Sequence, residues 1–295
     1  MAQSGSAPGL GPGGPRFESL YSDQVKRALQ INTIMQYNRI INNIFASNTQ
    51  YLPYLQLSAT ALVALFVILF PQNGALWLMS ILMYVGIGCF GISIGFHRLL
   101  THKSFKTTKF WEYFCATWGA LAFTGSAIGW VGMHRDHHRY SDKPGDPHSP
   151  LVSGAKMLVA AYDYEPNKWK IRHLIFNKYH IFMHKWYFGL LILWTAFWAV
   201  IDPVLAMHVV IIPAVISVWS STTSNYMNHK WGYKNFETSD NSRNLWINAI
   251  FTFGEGWHNN HHARPGNYDF GSGTSGKWWE FDPAARVIDI IKVQK

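Results

Sequence analysis

The chain has 295 residues and a net charge of +9 at pH 7, yet charged residues make up only 14% of it, whereas aromatic residues reach 16%. The basic residues form no runs of the kind that bind nucleic acid, so the composition argues against a nucleic-acid partner. The two cysteines, Cys89 and Cys115, lie among apolar neighbours without metal-ligand spacing, which argues against a disulfide scaffold.

The first part of the chain divides into two segments. Residues 1–16 are rich in Gly, Pro and Ser, a composition that predicts a disordered tail. Residues 17–53 have mixed polarity and are predicted to form a helical segment that lies along a membrane interface.

Two long zones of the chain carry no Lys or Arg. All 25 basic residues lie outside residues 54–96 and 187–229. Each zone has about the length of two transmembrane helices, at roughly 17 to 25 residues per span, and the segments PQN and IDP interrupt the zones near their middles. We therefore predict an all-α integral membrane protein with four spans in two hairpins, residues 54–96 and 187–225. A soluble helical protein with two buried hairpins is the alternative.

The positions of the basic residues also predict the orientation. Lys and Arg favour the cytosolic side of a membrane, so residues 97–186 and 226–295 are predicted to form a helical cytosolic cap, with both termini on the same side. The membrane would be a bacterial inner or thylakoid membrane, or the endoplasmic reticulum in a eukaryote.

Nine of the 14 histidines lie in four clusters at the predicted cytosolic ends of the spans. On a helix, positions i, i+3 and i+4 share one face, so the rings of an H-x-x-H-H cluster can converge on one point. Two histidines five positions apart lie about 140° apart on an α-helix, so His97 and His102 are predicted to share a centre only if the helix ends between them. The clusters, with one asparagine, are His97 and His102; His134, His137 and His138; Asn225 and His229; and His258, His261 and His262.

Such a set of histidines predicts a metal centre. Imidazole binds iron, zinc, copper and nickel alike, so the ligand type does not select the metal. Eight or nine nitrogens exceed the four ligands of one tetrahedral zinc and therefore indicate two metals. His173, His180, His184 and His208 lack this spacing and are predicted to play no part in the centre.

The four clusters resemble the histidine boxes of membrane fatty acyl desaturases of the delta-9 type. The family pattern is H-x4-H, H-x2-H-H and H-x2-H-H, with N-x3-H after the fourth span, and the chain has all four in order. The resemblance extends to SAIGW, to HHRYSD…DPH with His148, and to FTFGEGWHNNHH. It implies a four-span fold with a cytosolic cap and two irons ligated by the nine histidines, with Asn225 reaching one iron through water.

The resemblance also implies a reaction and its partners. The reaction is the O2-dependent removal of two hydrogens from an acyl lipid or acyl thioester, which gives a cis double bond at a delta-9-like position. Where animal acyl-CoA enzymes hold the head group, this chain has Gly125, Gly129, Gly132 and Met133, so it is expected to be closer to the bacterial and cyanobacterial acyl-lipid enzymes. No H-P-G-G haem motif of a fused cytochrome b5 occurs, so a separate acidic protein such as ferredoxin or cytochrome b5 is expected to supply electrons.

Two other functions remain open at this point. A di-iron acyl hydroxylase of the same superfamily would leave an oxygen atom on the acyl chain. A membrane zinc hydrolase or metal-binding protein would use the same ligands without redox chemistry.

Helical spacing predicts part of a substrate tunnel. Trp130 precedes His134 by about one turn and is predicted to line the tunnel beside the metals. Counting back from His97 in steps of about one turn predicts that Ser93, Cys89 and Val85 continue this lining along the second span.

Overall fold

The computed structural model describes residues 47–159 and 168–293. The tail predicted for residues 1–16 and most of the interfacial segment predicted for residues 17–53 lie outside the described residues. Within the described ranges the regular secondary structure is helical. Strand pairing there is limited to isolated bridges such as that between Thr107 and Lys292.

The helices differ greatly in length. Those that span the apolar zones or build the surroundings of the histidines are α1 (Leu52–Leu69), α2 (Gly74–His102), α3 (Lys109–Ala120), α4 (Ala127–Tyr140), α5 (Lys178–Lys185), α6 (Tyr187–Ile201), α7 (Pro203–Asn228), α8 (His258–Ala263) and α9 (Pro283–Ile291). Other short helical segments are Thr49–Tyr51, Pro150–Ser153, Gly154–Val159, Arg172–Ile175, Trp246–Phe251 and Ser272–Ser275.

Three helices in the described part of the chain could cross a membrane. They are α1, α2 and α7, and each has a mean hydropathy of 2.0 over its most apolar stretch, counted for α1 from Thr49. The pair α5 and α6 would add a fourth span, although a 71° bend separates the two helices. Large apolar side chains such as Ile68 and Val200 are exposed on α1 and α6, as expected for surfaces that face lipid.

The two predicted breaks in the apolar zones fall between helices. Asn73 accepts a hydrogen bond from the backbone N–H of Ala75 at 2.9 Å and so begins α2. Asp202 accepts one from the backbone N–H of Val204 at 2.7 Å and begins α7. Side-chain oxygens at these positions satisfy N–H groups that have no partner in the first helical turn.

The second half of α2, Gly86–His102, is a π-helix, and this changes which of its residues share a face. The expectation that the helix ends between His97 and His102 is wrong, because the π-helix continues through His102 and ends at Lys103, which is left-handed with φ 53°. In a π-helix the backbone bonds join positions five apart, so such positions lie close together. The rings of His97 and His102 are accordingly 4.9 Å apart.

Glycines allow α3 to pack closely on this π-helix. A Cβ atom placed on Gly91 would lie 2.5 Å from the backbone nitrogen of Gly119, which only a residue without a side chain permits. α4 also packs on α2, and one apolar core joins these three helices to α9. A second core joins α1, α6 and α7. Because α7 also packs directly on α2, the ends of α2, α4 and α7 are fixed relative to one another.

Candidate metal centre

Four segments bring the nine histidines into two groups, and within each group the ligand atoms all lie within 4.8 Å of one another. Within each H-x-x-H-H cluster, the two histidines four positions apart join one group and the remaining histidine joins the other, so the three rings do not converge on one point. The five-histidine group consists of His97, His102, His134, His138 and His261. The four-histidine group consists of His137, His229, His258 and His262.

The five-histidine group is assembled from α2, α4 and α8. The Nε2 atom of His261 lies 3.0 Å from Nε2 of His97 and 2.8 Å from Nε2 of His138. Nε2 of His138 lies 3.0 Å from Nε2 of His134. Nε2 of His102 is buried and has no hydrogen-bond partner among the described residues, so its lone pair is free to bind a metal.

The four-histidine group combines α4 and α8 with the residue that follows α7. Nε2 of His229 lies 3.0 Å from Nε2 of His258. The Nε2 atoms of His137 and His262 are buried and find no hydrogen-bond partner in the described ranges. The rings of His137 and His262 are 5.2 Å apart, so both can reach one point.

These donor sets fit metal ions. Two nitrogen ligands at right angles, with metal–nitrogen bonds of about 2.0–2.1 Å, lie about 2.9 Å apart, close to the separations found here. The Nδ1 atoms of His137 and His262 each contact an aspartate, whereas the buried Nε2 atoms of both rings find no hydrogen-bond partner among the described residues. A bound cation would give these two nitrogens a partner.

Carboxylates fix the orientation of four of these rings. A metal-bound histidine usually donates its second ring proton to a carboxylate or carbonyl, which sets its tautomer. Here the carboxylates contact Nδ1 of histidines in both groups. The pairs are His97 with Glu255, His137 with Asp146 at 3.0 Å, His229 with Asp142 at 2.9 Å, and His262 with Asp240 at 2.7 Å.

None of these four carboxylates is among the site residues predicted from the sequence. Asp142 and Asp146 follow the second histidine cluster within eight residues, and Glu255 precedes His258 by three. A search for acidic residues near each histidine box would have found them, because metal-bound imidazole needs an acceptor. Asp240 lies 22 residues before His262, so their pairing depends on a contact formed only in the fold.

Burial keeps the imidazoles neutral. The pKa values of His134, His138, His258 and His261 lie well below the ordinary value, first because burial disfavours the charged ring and then because neighbouring histidines repel a second charge. A neutral ring is the form that binds a metal.

The paired aspartates remain charged. Burial alone would raise the pKa of Asp142, but its hydrogen bond and charge interaction with His229 lower that pKa below the ordinary value. The same balance, with His262 as partner, lowers the pKa of Asp240.

Asn225 and His148 lie beside the two groups. Asn225 is one helical turn before His229, and its side-chain amide donates to the backbone oxygen of His148. The ring of His148 is 5.8 Å from that of His137. Contact of Asn225 with a metal through water stays a prediction.

The other histidines lie outside both groups and contact polar groups of their own. His208 contacts Ser80 Oγ through Nδ1 at 2.9 Å, and His184 contacts Ser126 Oγ through Nδ1 at 2.7 Å. Nε2 of His173 lies 3.1 Å from the backbone oxygen of Leu100, and His180 lies 3.5 Å from Glu112.

A cavity reaches both histidine groups. His97 and His134 of the five-histidine group and His258 of the four-histidine group line it, together with Trp130. The Trp130 ring stacks on His134 with centroids 4.9 Å apart and lies 5.8 Å from His97. The structure therefore places Trp130 in the wall of this cavity, against two histidines of the five-histidine group.

The face of α2 that lines this cavity differs from the predicted one. Tyr84, Gly88 and Ile92 line it. Val85 and Cys89 instead pack in the apolar core, and Ser93 is fully buried, with its hydroxyl 2.5 Å from Glu255. The sequence-based prediction counted back from His97 in α-helical turns and therefore selected residues that do not line the cavity. In the π-helix, positions five apart lie close together, so Ile92, five residues before His97, is on the lining face.

Comparison with known proteins gives a consistent family. A model of the family described as fatty acid desaturase matches residues 74–288. The chain is 33% identical over 232 residues to an sn-1 stearoyl-lipid 9-desaturase of Anabaena variabilis, which covers 73% of this chain and 80% of the relative. It is 35% identical to an sn-2 palmitoyl-lipid 9-desaturase of a Nostoc species, over 70% of this chain and 74% of the relative. It is 29% identical to the delta-9 acyl-lipid desaturase 2 of Arabidopsis thaliana, over 82% of this chain and 80% of the relative.

Proposed function

The chain belongs to the fatty acid desaturase family, and from that premise we propose that it introduces a cis double bond at the delta-9 position of acyl chains in membrane glycerolipids. The protein is an oxidoreductase with an acyl-lipid substrate. The delta-9 position and the glycerolipid form of the substrate are supported by the names of its cyanobacterial and plant relatives. The glycines at Gly125, Gly129 and Gly132, in place of head-group ligands, favour a glycerolipid over an acyl-CoA.

The observation that carries the proposal is the pair of adjacent histidine groups bordering one cavity. We propose that each group binds one iron and that Asn225 completes the four-histidine position through water. Two irons with O2 and two electrons supply an oxidant strong enough to remove hydrogen from an unactivated C–H bond, which no side chain can do. The reaction balances as R–CH2–CH2–R′ + O2 + 2e⁻ + 2H⁺ giving R–CH=CH–R′ and two waters.

The chain's own residues hold and orient the reactants. The four carboxylates keep the protons of His97, His137, His229 and His262 on Nδ1, so that each Nε2 presents a lone pair. Trp130 lies against His134 and would hold the acyl chain where the cavity passes both groups. Ile92 and Gly88 would continue this wall along α2 toward the membrane.

The membrane arrangement proposed from the sequence is compatible with this site. We propose that α5 and α6 together make a fourth span, because α6 has only 15 residues and roughly 17 or more are needed to cross a bilayer. The hairpin predicted for residues 54–96 would then be the first, the hairpin predicted for residues 187–225 would be extended at its start by α5, and residues 97–177 and 226–295 would form the cytosolic cap. The termini and the histidines would face the cytosol, where a separate acidic donor such as ferredoxin or cytochrome b5 can reach the basic surface.

Expression in a desaturase-deficient host tests the proposed function. Fatty acids released from the host's glycerolipids would be analysed by mass spectrometry for double-bond position. A cis double bond between C9 and C10 is expected, and His137→Ala should abolish it. A product that carries an added oxygen atom would instead identify a hydroxylase, and unsaturation confined to the acyl-CoA pool would contradict the lipid substrate.

A further inference from the structure

Arg98 is fully buried and directly follows the histidine His97. Its guanidinium donates from Nη1 to Glu255 at 2.7 Å, from Nη2 to Asp282 at 2.8 Å, and from Nε to the backbone oxygen of Tyr268 at 2.9 Å. A buried charge is costly unless it is paired and hydrogen-bonded, and here two carboxylates meet that need.

Arg98 reaches the five-histidine group by two routes. In the first, Glu255 binds Arg98 with Oε1 and contacts Nδ1 of His97 with Oε2, so one carboxylate joins the arginine to a ligand. In the second, the guanidinium carbon of Arg98 lies 3.8 Å above the ring centre of Phe270, and that ring lies 4.2 Å from the ring of His261. Both routes end at histidines whose Nε2 atoms are 3.0 Å apart.

The second carboxylate extends this network to the end of the chain. Asp282 accepts a hydrogen bond from Arg98 with Oδ2, and it caps α9 by accepting from the backbone N–H of Ala285 at 3.1 Å with Oδ1. Oδ2 of Asp282 also accepts from the backbone N–H of Phe270 at 2.8 Å. The start of α9 is therefore connected through Arg98 to the histidines of the five-histidine group.

We propose that Arg98 is a positioning residue for the metal of the five-histidine group. By fixing Glu255 and Phe270, it holds His97 and His261 with their Nε2 atoms at the same point. A purely structural role, in which Arg98 only fastens the C-terminal segment to α2, would not require Glu255 to contact His97. This inference rests on the proposed function, because it assumes that the two groups hold metals.

The test compares iron content in purified, full-length variants. Arg98→Met removes the guanidinium, Arg98→Lys keeps the charge but not the planar fork, and Glu255→Gln keeps the shape of the side chain but not its charge. Arg286→Met is the matched control, because Arg286 lies on α9 and pairs with Asp269, away from Glu255. It loosens the C-terminal segment without touching the network at His97.

The expected loss is confined to one metal position. Arg98→Met and Glu255→Gln should retain about one iron per chain after dialysis, because loss of an outer hydrogen-bond partner weakens metal affinity roughly 10- to 100-fold. Arg98→Lys should retain an intermediate amount, and Arg286→Met should match the wild type. Adding His258→Ala to Arg98→Met should remove the remaining iron, whereas adding His102→Ala should not.

The outcomes separate this inference from the proposed function. If the wild type holds two irons and both Arg98→Met and Glu255→Gln also hold two with unchanged Mössbauer spectra, the positioning role is refuted. It is also refuted if His102→Ala, rather than His258→Ala, removes the remaining iron. If Arg98→Met does not fold, Glu255→Gln decides by the same criteria. A wild-type protein that binds no iron would instead overturn the proposed function.

Discussion

The five-histidine group and the four-histidine group receive different support from the protein around them. Among the described residues, Glu255 is the carboxylate that contacts the five-histidine group, and Arg98 neutralises it. The four-histidine group has three aspartates, each bound to one of its rings. Anionic partners raise the basicity of the ligands and attract a cation. The group with fewer histidines is therefore the one with more negative charge around it.

The number of ligands alone therefore does not describe such a centre. The five-histidine group has one more imidazole, whereas the four-histidine group has two more carboxylates bound to its rings. We expect the two metal positions to be electronically distinct, although the same H-x-x-H-H clusters supply both.

Loss of a ligand from either group should have the largest effect. We predict that His102→Ala and His258→Ala each reduce product to background, because one iron alone cannot carry out the reaction, and that each variant loses the metal of its own group first. Both proteins should still insert into membranes, since the ligands lie outside the most apolar stretches. Product analysis and iron content provide the readout.

His173→Ala is the control for these replacements. His173 binds the backbone of Leu100 and belongs to neither group. It should retain most of the activity, and a variant as inactive as His258→Ala would show that spacing does not identify the ligands.

Loss of one aspartate should have a smaller effect, confined to the four-histidine group. We predict that Asp142→Asn weakens metal binding there by about 10- to 100-fold, since an outer partner typically contributes that much. Asp146 and Asp240 remain in place. Metal competition with a chelator measures the change. The control is Asp289→Asn, which alters a carboxylate on α9 that pairs with Lys292, and it should behave as wild type. Equal weakening at both metal positions would contradict the division into groups.

Trp130 should affect the reaction without affecting metal content. Its ring stacks on His134 and lines the cavity that both groups border. We predict that Trp130→Ala lowers the rate or scatters the double-bond position, because the acyl chain loses a wall beside the metals. Trp246→Ala, at an exposed site, is the control. A Trp130→Ala enzyme with full rate and an unchanged product would limit this residue to packing.

The smallest effect is expected at the far end of the cavity. The Tyr84 hydroxyl donates to the backbone oxygen of Phe251 at 2.6 Å and lies 3.1 Å from Ser220 Oγ, so the side chain is fixed in the lining. We predict that Tyr84→Ala shifts the product toward longer chains, on the order of tenfold in the C18 to C16 ratio, since a methylene in an apolar pocket contributes about 1–3 kcal/mol. Val85→Ala, a change in the core, should leave that ratio unaltered.

The sequence was sufficient for the features that depend on residue type. The absence of Lys and Arg from two zones located the apolar helices, and the spacing of nine histidines located the residues that form the two groups. Features that depend on backbone geometry were not accessible. Nothing in GIGCFGISIGFHRLLTH signals a π-helix, so an α-helical count placed Cys89 rather than Gly88 on the cavity. The pairing of His262 with Asp240 likewise depends on tertiary contact.

We propose that the nine histidines hold two irons in two unequal positions. The most direct test is elemental analysis with Mössbauer spectroscopy on the purified full-length protein, expressed in iron-replete cells. We predict two irons per chain in two distinguishable environments, and one iron in His258→Ala. A single zinc per chain with no iron, or one iron that is lost equally in His258→Ala and His102→Ala, would contradict the account.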